Sequence, residues 1–275
     1  MLFQIGEKSY DFNRPLLMGI LNVTPDSFSD GGKFFHHDRA VEHAYRLAEE
    51  GADILDIGGE STRPGSEPVS PDIELERIIP VVKTLAKKLP IPLSVDTTKA
   101  EVAERALDAG AEMVNDISAL RFDPRMTDVV RRSRCQVVLM HMRGMPRDMQ
   151  LSPRYENVVE DILAFLRERV SFAIEHGIPE EKIVVDPGIG FGKTLEHNLL
   201  ILREVERFHE TGRPVLIGAS RKGLIGKLTG APVGERAWGT AAIAAWCVLK
   251  GVEIQRVHDI KAMRQVCEVM AALRE

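Results

Sequence analysis

Short apolar runs alternate along this chain with longer stretches whose apolar residues recur at helical spacing. Residues 16–21 form the first run, which stops at Asn22 before the turn chemistry of Thr24-Pro25-Asp26. A run of that length reads as a strand buried on both faces. Pro25 keeps the residue before it out of the helical region. From there a unit repeats: amphipathic helix, glycine, short polar step, apolar strand, polar strand end. Gly51 follows a helix over 40–50 and precedes Asp53-Ile-Leu-Asp56-Ile-Gly-Gly. Gly110 follows 101–109 and precedes Met113-Val-Asn115-Asp116-Ile. Gly177 follows 155–176 and precedes Ile183-Val-Val-Asp186, and Gly251 follows 241–250 and precedes Glu253-Ile-Gln-Arg256-Val-His258. A glycine in that place is the left-handed residue that ends a helix. Three further strands, over 92–96, 136–141 and 214–218, run into Asp96, His141 and Gly218.

Helix starts carry their own marks. Ser70-Pro71 places a cap before a proline at the first helical position. Thr98 and Glu101 have the T-x-x-E spacing of a capping box. Tyr155, Val158, Val159, Ile162, Leu166, Val170 and Ala173 trace one helical face. About eight strands alternating with about eight helices predict a parallel sheet. A doubly wound open sheet competes with a closed (β/α)8, or TIM, barrel. The strand count, the length of 275 residues and a polar group at nearly every strand end favour the barrel as a single domain over 1–275. Residues 3–5 and 10–12 are expected to form a short hairpin plugging its N-terminal end.

Composition narrows the function. Apolar content of 44% and charged content of 28% are ordinary for a globular protein. The net charge of -5 argues against nonspecific nucleic-acid binding. Cys135, Cys247 and Cys267 are far apart, so neither disulfides nor a thiolate metal site is expected, and a reducing cytoplasm fits best. No stretch is long and apolar enough to span a bilayer.

The strand ends carry the chemistry: Asn22, Gly58 to Gly65, Asp96, Asn115, His141, Asp186, Ser220-Arg221-Lys222, Arg256 and His258. Burying an unpaired amide costs on the order of 2–7 kcal/mol, so polar groups gathered at one rim suggest a polar ligand. Asp96, Asn115 and Asp186, with Lys222 as their only countercharge, suit a flat heterocycle with adjacent N–H donors. Asn22, Thr62, Arg63, Arg256 and His258 suit a phosphate or pyrophosphate with Mg2+. Arg63 or Arg256 in isolation reads first as a surface ion pair. Asp56 and Asp116 precede strand ends and read as supports for neighbouring groups. His141 reads either as a site residue or as a histidine held by core hydrogen bonds. His197 reads as a loop or helix-surface residue. The stretch Asp186-Pro-Gly-Ile-Gly-Phe-Gly-Lys193 fails as a Walker A loop and as a dinucleotide fingerprint, because its glycine spacing is wrong for both. Its glycines instead let backbone and Phe191 approach a planar ligand.

These residues resemble the dihydropteroate synthase family. The matching pieces are Gly19-Ile-Leu-Asn-Val-Thr-Pro-Asp-Ser-Phe-Ser-Asp-Gly31, Gly58-Gly-Glu-Ser-Thr-Arg-Pro-Gly65, Ser94-Val-Asp-Thr97, Val114-Asn-Asp-Ile117, Asp186-Pro-Gly-Ile-Gly-Phe-Gly192, Ser220-Arg-Lys222 and Arg256-Val-His-Asp259. They run in order over nearly the whole chain, and the first two are highly specific in combination. The resemblance implies a barrel that joins p-aminobenzoate to 6-hydroxymethyl-dihydropterin diphosphate, releasing pyrophosphate. It implies that Asp96, Asn115, Asp186 and Lys222 bind the pterin, with Met140 on its face. It implies that Asn22 contacts Mg2+ and that Thr62, Arg63, Arg256 and His258 hold the diphosphate. Phe28, Pro64, Phe191, Ser220 and Lys222 would surround p-aminobenzoate. The implied catalytic set is Arg63, Asp96, Lys222, Arg256 and His258. A homodimer is also implied, with the helix over 240–250 as a candidate interface. Two other readings compete: a pterin barrel that transfers a methyl group from a folate to a corrinoid protein, and a non-catalytic binding subunit. The diphosphate set argues against both. Arg256→Ala is expected to hurt turnover far more than folding.

Overall fold

The computed structural model describes residues 3–24, 33–62 and 65–274. Its strands are β1 (Phe3–Ile5), β2 (Lys8–Tyr10), β3 (Leu16–Asn22), β4 (Ile54–Gly58), β5 (Leu93–Asp96), β6 (Met113–Asp116), β7 (Gln136–Met140), β8 (Ile183–Asp186), β9 (Leu216–Ile217) and β10 (Ile254–Val257). The helices are α1 (Lys33–Glu49), α2 (Pro71–Ala86), α3 (Ala100–Asp108), α4 (Met126–Ser133), α5 (Val158–Glu175), α6 (Leu195–Arg203), α7 (Gly223–Thr229), α8 (Ala237–Leu249) and α9 (Ile260–Arg274). β3 to β10 form one eight-stranded sheet in the order β8-β7-β6-β5-β4-β3-β10-β9. A bridge between Val185 and Val215 brings its two ends together. There the Val185 N–H donates to the Pro214 carbonyl at 3.0 Å. The result is the (β/α)8 barrel.

Strand alternation divides the apolar residues into two layers. Leu16, Met18, Ile54, Met113, Val138, Val184, Leu216 and Ile254 cluster together inside the barrel. Leu17, Leu21, Leu55, Ile57, Val95, Val114, Val137, Val185 and Val257 pack outward among the helices. Two residues on from the interior layer, the same faces carry Asp56, Asn115, Met140, Asp186, Gly218 and Arg256. The polar site therefore stands on an apolar floor.

The hairpin is present, but its second strand is β2 rather than 10–12. Gly6 takes φ +57, which makes the turn tight and returns the chain two residues early. Phe3 and Ile5 enter the interior cluster, and Phe12 stacks on Phe3 with ring centroids 5.2 Å apart. Gly51, Gly110, Gly177 and Gly251 all have positive φ, as their places after helices require. Ser70 caps α2 by accepting from the Ile73 N–H. The expected box at Thr98 does not form. α3 begins at Ala100, whose N–H donates instead to Asp123 Oδ2 at 3.0 Å. A carboxylate from a neighbouring loop has taken the donor that the local hydroxyl would have served. A capping box does form at the start of α6, between Thr194 and His197.

Candidate active site

Parallel register sets the strand ends level. Asn22 pairs with Gly58, Gly58 with Asp96, and Asp96 with Asn115, while Met140 pairs with Asp186. Gly58 leaves a gap in that row: a Cβ there would stand 3.7 Å from Asp96 Oδ2 and 3.8 Å from Asn22 Oδ1. Asp96, Asn115, Met140 and Asp186 are buried, and Asn22 is half-buried.

Arg256 ties this layer together. Its Nε donates to Asp56 Oδ2 at 2.6 Å and its Nη2 to Asp96 Oδ2 at 2.8 Å. Asn115 Nδ2 donates to the same Asp56 oxygen at 2.9 Å. The heterocycle set and the phosphate set of the sequence reading are therefore contiguous, joined by one guanidinium. Asp56 belongs to the interior face of this site, and its backbone alternation with Ile54 was the signal that could have found it. Asp116 faces outward, where its carboxylate accepts from the Ser118 and Leu120 N–H groups at 2.8 Å each. That turn holds Ala119 and Leu120 at positive φ.

Charge in the layer is not balanced. Burial pushes the Asp96 carboxyl up to about 7; Arg256 opposes the shift, and Asp56, Glu74 and Asp116 add to it. One guanidinium shared between two buried carboxylates cannot fully serve both. Burial also raises Asp186, against the pull of Lys222 and a 2.7 Å hydrogen bond from the Gly188 N–H. Lys222 is pushed down to about 8 by burial, with Asp186 opposing. Its Nζ donates to the Ile189 carbonyl and stands 4.4 Å from the Phe191 ring centroid. Phe191 packs on an apolar cluster of Ile117, Met140, Met142 and Met149. A flat apolar wall thus adjoins Asp186 and Lys222. Ser220 is buried and its Oγ lies 3.0 Å from His258 Nδ1, linking the ends of β9 and β10.

Thr62 is half-buried and lines a cleft of about 290 Å3 that reaches Asp96. The expectations for Phe28, Arg63 and Pro64 fall outside the described residues. His141 proves to be a core histidine, with Lys193 Nζ 3.0 Å from its Nδ1 and Phe165 edge-on to its ring. Lys193 closes the glycine-rich stretch that fails both nucleotide motifs. It is buried, and its Nζ donates to the Phe191 carbonyl at 2.9 Å, fixing the glycine-rich loop to β7. No sequence signal marked it.

A parallel barrel whose interior rim combines carboxylates, an amide, two cations and an aromatic wall defines a binder of polar heterocycles. The sequence profile of the pterin binding enzyme family matches residues 18–258. A dihydropteroate synthase of Synechocystis is 46% identical over 271 residues, covering 98% of this chain and 94% of its own length. Among solved structures, Xanthomonas albilineans dihydropteroate synthase with 4-aminobenzoic acid superposes with a TM-score of 0.93 at 45% identity, covering 99% of this chain and 98% of its own. The same enzyme in complex with 7,8-dihydropteroate gives 0.90 at 42% identity, covering 100% and 99%. The chain belongs to the dihydropteroate synthase family of pterin-binding transferases.

Proposed function

We propose that this protein joins p-aminobenzoate to 6-hydroxymethyl-7,8-dihydropterin diphosphate, forming 7,8-dihydropteroate and releasing pyrophosphate. The observation that carries the reading is the single layer in which Asp96, Asn115 and Asp186 lie beside Arg256. Asp96 and Asp186 accept from the pterin N–H donors, and Asn115 adds an amide. Met140 and Phe191 pack on the ring. Phe28, Pro64, Ser220 and Lys222 join Phe191 around the arylamine. In the reaction the C–O bond to diphosphate breaks and its electron pair leaves with the phosphate oxygen. The methylene carbon left behind is a cation conjugated with the pterin. The amine nitrogen forms the new C–N bond and then loses a proton, which needs no strong base because an arylammonium is acidic.

Charge on the departing diphosphate is met by Arg63, Arg256 and His258, with Thr62 donating beside them. A unit charge pair at about 4 Å is worth roughly 4 kcal/mol at an effective dielectric near 20. A few contacts that strengthen as charge develops supply orders of magnitude in rate. Carboxylates around the ring favour its cationic form at the same moment.

Among the described residues no group of three His, Cys, Asp or Glu side chains is placed to hold a metal. Mg2+ commonly takes most of its ligands from substrate phosphates and water. One neutral oxygen at the rim fits that habit, and Asn22, facing the gap at Gly58, would provide it. Bound there with the diphosphate, Mg2+ would neutralise leaving-group charge. The direct test mixes purified protein with both substrates, with Mg2+ and with EDTA. Dihydropteroate and pyrophosphate should accumulate in equal amounts with Mg2+ and nearly cease with EDTA. No product above background would refute the reading.

Two copies of the chain are proposed to associate through α8 and α9. These helices pack side by side and leave Trp238 86%, Val269 59% and Leu273 72% exposed. Trp246 is anchored within its own chain, its Nε1 donating to the Leu202 carbonyl at 2.6 Å. Sedimentation of Trp238→Asp should show a monomer where the parent shows a dimer.

A further inference from the structure

Beside the site lies a group of charges with no part in the reaction as described. Lys99, at the start of α3, donates from Nζ to Glu60 Oε2 and to Glu74 Oε2. Glu74 comes from α2 and is fully buried. Glu60 opens the loop after β4, two residues ahead of Thr62 and three ahead of Arg63. The same Glu60 oxygen accepts the Val69 N–H at 3.4 Å, so one carboxylate gathers both ends of the loop. Arg77 Nη1 of α2 holds the Gly59 carbonyl at 2.6 Å, and Ser66 Oγ holds the Ser61 carbonyl at 2.6 Å. The Gly65 N–H donates to the Pro146 carbonyl across the rim. Lys99 is itself oriented by its N–H, which donates to Thr97 Oγ1 next to Asp96.

Coulomb's law alone would not choose this arrangement. Two carboxylates share one ammonium, with Arg77 held instead on the Gly59 carbonyl, so Glu60 places a carboxylate close to a loop expected to receive a diphosphate. A charge that opposes the ligand is tolerable where it supplies geometry instead. From this we infer that Glu60 is a positioning residue, which through Lys99 and Glu74 fixes the start of the β4 loop so that Thr62 meets the diphosphate. The inference rests on the functional reading above. Misplacement by about 1 Å far from the reacting atoms can cost on the order of 100-fold in rate.

Glu60→Ala is the variant that tests it, because the buried Lys99–Glu74 pair stays intact and the fold with it. The expected result is a loss of about 100-fold in kcat/KM for the pterin diphosphate. Affinity for 6-hydroxymethylpterin, which lacks the diphosphate, should change by less than about two-fold, since Asp96, Asn115 and Asp186 are untouched. Glu60→Gln keeps an acceptor for Lys99 and should recover most of the loss. Amide hydrogen exchange should rise across 59–62 and 65–69 in Glu60→Ala and remain at the parent level in α2 and α3. Unchanged kcat/KM, or an equal loss of affinity for the diphosphate-free pterin, overturns the inference. Failure of the parent protein to form dihydropteroate overturns the functional reading instead, while unchanged exchange in the loop overturns the tether on its own.

Discussion

At the scale of single residues, Arg256 decides most. A guanidinium has five N–H donors, and two of these serve Asp56 and Asp96, leaving three for an incoming anion. The sequence placed Arg256 at the rim but could not show what it holds up. Asp56 is fully buried, and its Oδ1 has no hydrogen-bond partner among the described residues. Arg256→Ala, expected to hurt turnover far more than folding, should therefore carry a folding cost as well. Breaking a buried pair typically costs about 3–5 kcal/mol, because the orphaned charge stays inside. Urea unfolding of Arg256→Ala should show a loss of that order, and adding Asp56→Asn should restore part of it. An unchanged midpoint would contradict the shared-cation picture. Asp96 makes a second case. Its unfolded value is near 3.9 and its folded value is about 7. Between these the native state keeps a proton that the unfolded chain has released, so stability falls as pH rises from about 4 to about 7. Asp96→Asn should remove that slope from urea midpoints measured at intervals over the range. Pterin affinity should move the other way in the parent, rising through pH 7 as the carboxylate forms, and should be weak and flat in the variant. Inward and outward residues such as Asn115 and Asp116 could be separated by period-2 alternation from Met113, a phase the sequence reading left unset. Lys193 was hidden because it belongs to no strand.

At the scale of elements, the loop after β8 shows why two of its glycines are needed there. Gly188 has φ +71, and a Cβ on it would land 2.0 Å from the His141 carbonyl oxygen. Gly192 has φ +63, with the Arg143 carbonyl oxygen 2.2 Å from its own missing Cβ. The loop is pressed against the end of β7, and Phe191 is held over the site as a result. The failed nucleotide motifs were informative, since glycines that bind no phosphate had to serve close packing. Gly212 offers a control: its φ is +71, but nothing lies within 4 Å of its Cβ position. Left-handed backbone alone costs an L-residue about 1–2 kcal/mol. Gly212→Ala should lose about that much in thermal or urea unfolding and keep pterin affinity. Gly188→Ala should lose more than about 2 kcal/mol, because backbone must also move, and should lose pterin binding. Equal losses for the two would mean that the loop is not packed as described. Local chemistry also misled once, at Thr98. A capping box is a bid for a donor, and Asp123 from across the chain outbid it.

At the scale of the whole molecule, the repeat of helix, glycine and strand made the barrel legible, because each glycine marks where a helix must stop and a strand begin. Closure was harder to read. β9 is two residues long, and the seam to β8 rests on a single bridge at Val215 just before it, so the strand expected over 214–218 did not by itself show that the sheet closes. The hairpin was legible as two short apolar segments, and the structure shows what it does. Phe3 and Ile5 fill the bottom of the barrel against Leu16, Met18 and Ile54, at the opposite end of the strands from Asp96 and Arg256. Gln136 Nε2 donates to the Gln4 carbonyl and holds the plug in place. The plug thus contributes its stability at the end of the barrel away from the chemistry, so that share is separable from activity by mutation. Ile5 is fully buried. Ile5→Ala should cost about 2–5 kcal/mol, as truncation of a packed aliphatic side chain does. Its kcat/KM at 25 °C should stay within about two-fold of the parent, since the strands between plug and rim are rigidly hydrogen-bonded and the cavity opens at the far end. Urea unfolding paired with the pyrophosphate assay measures both. A large fall in kcat/KM with little loss of stability would show that the floor of the barrel sets the geometry of its rim.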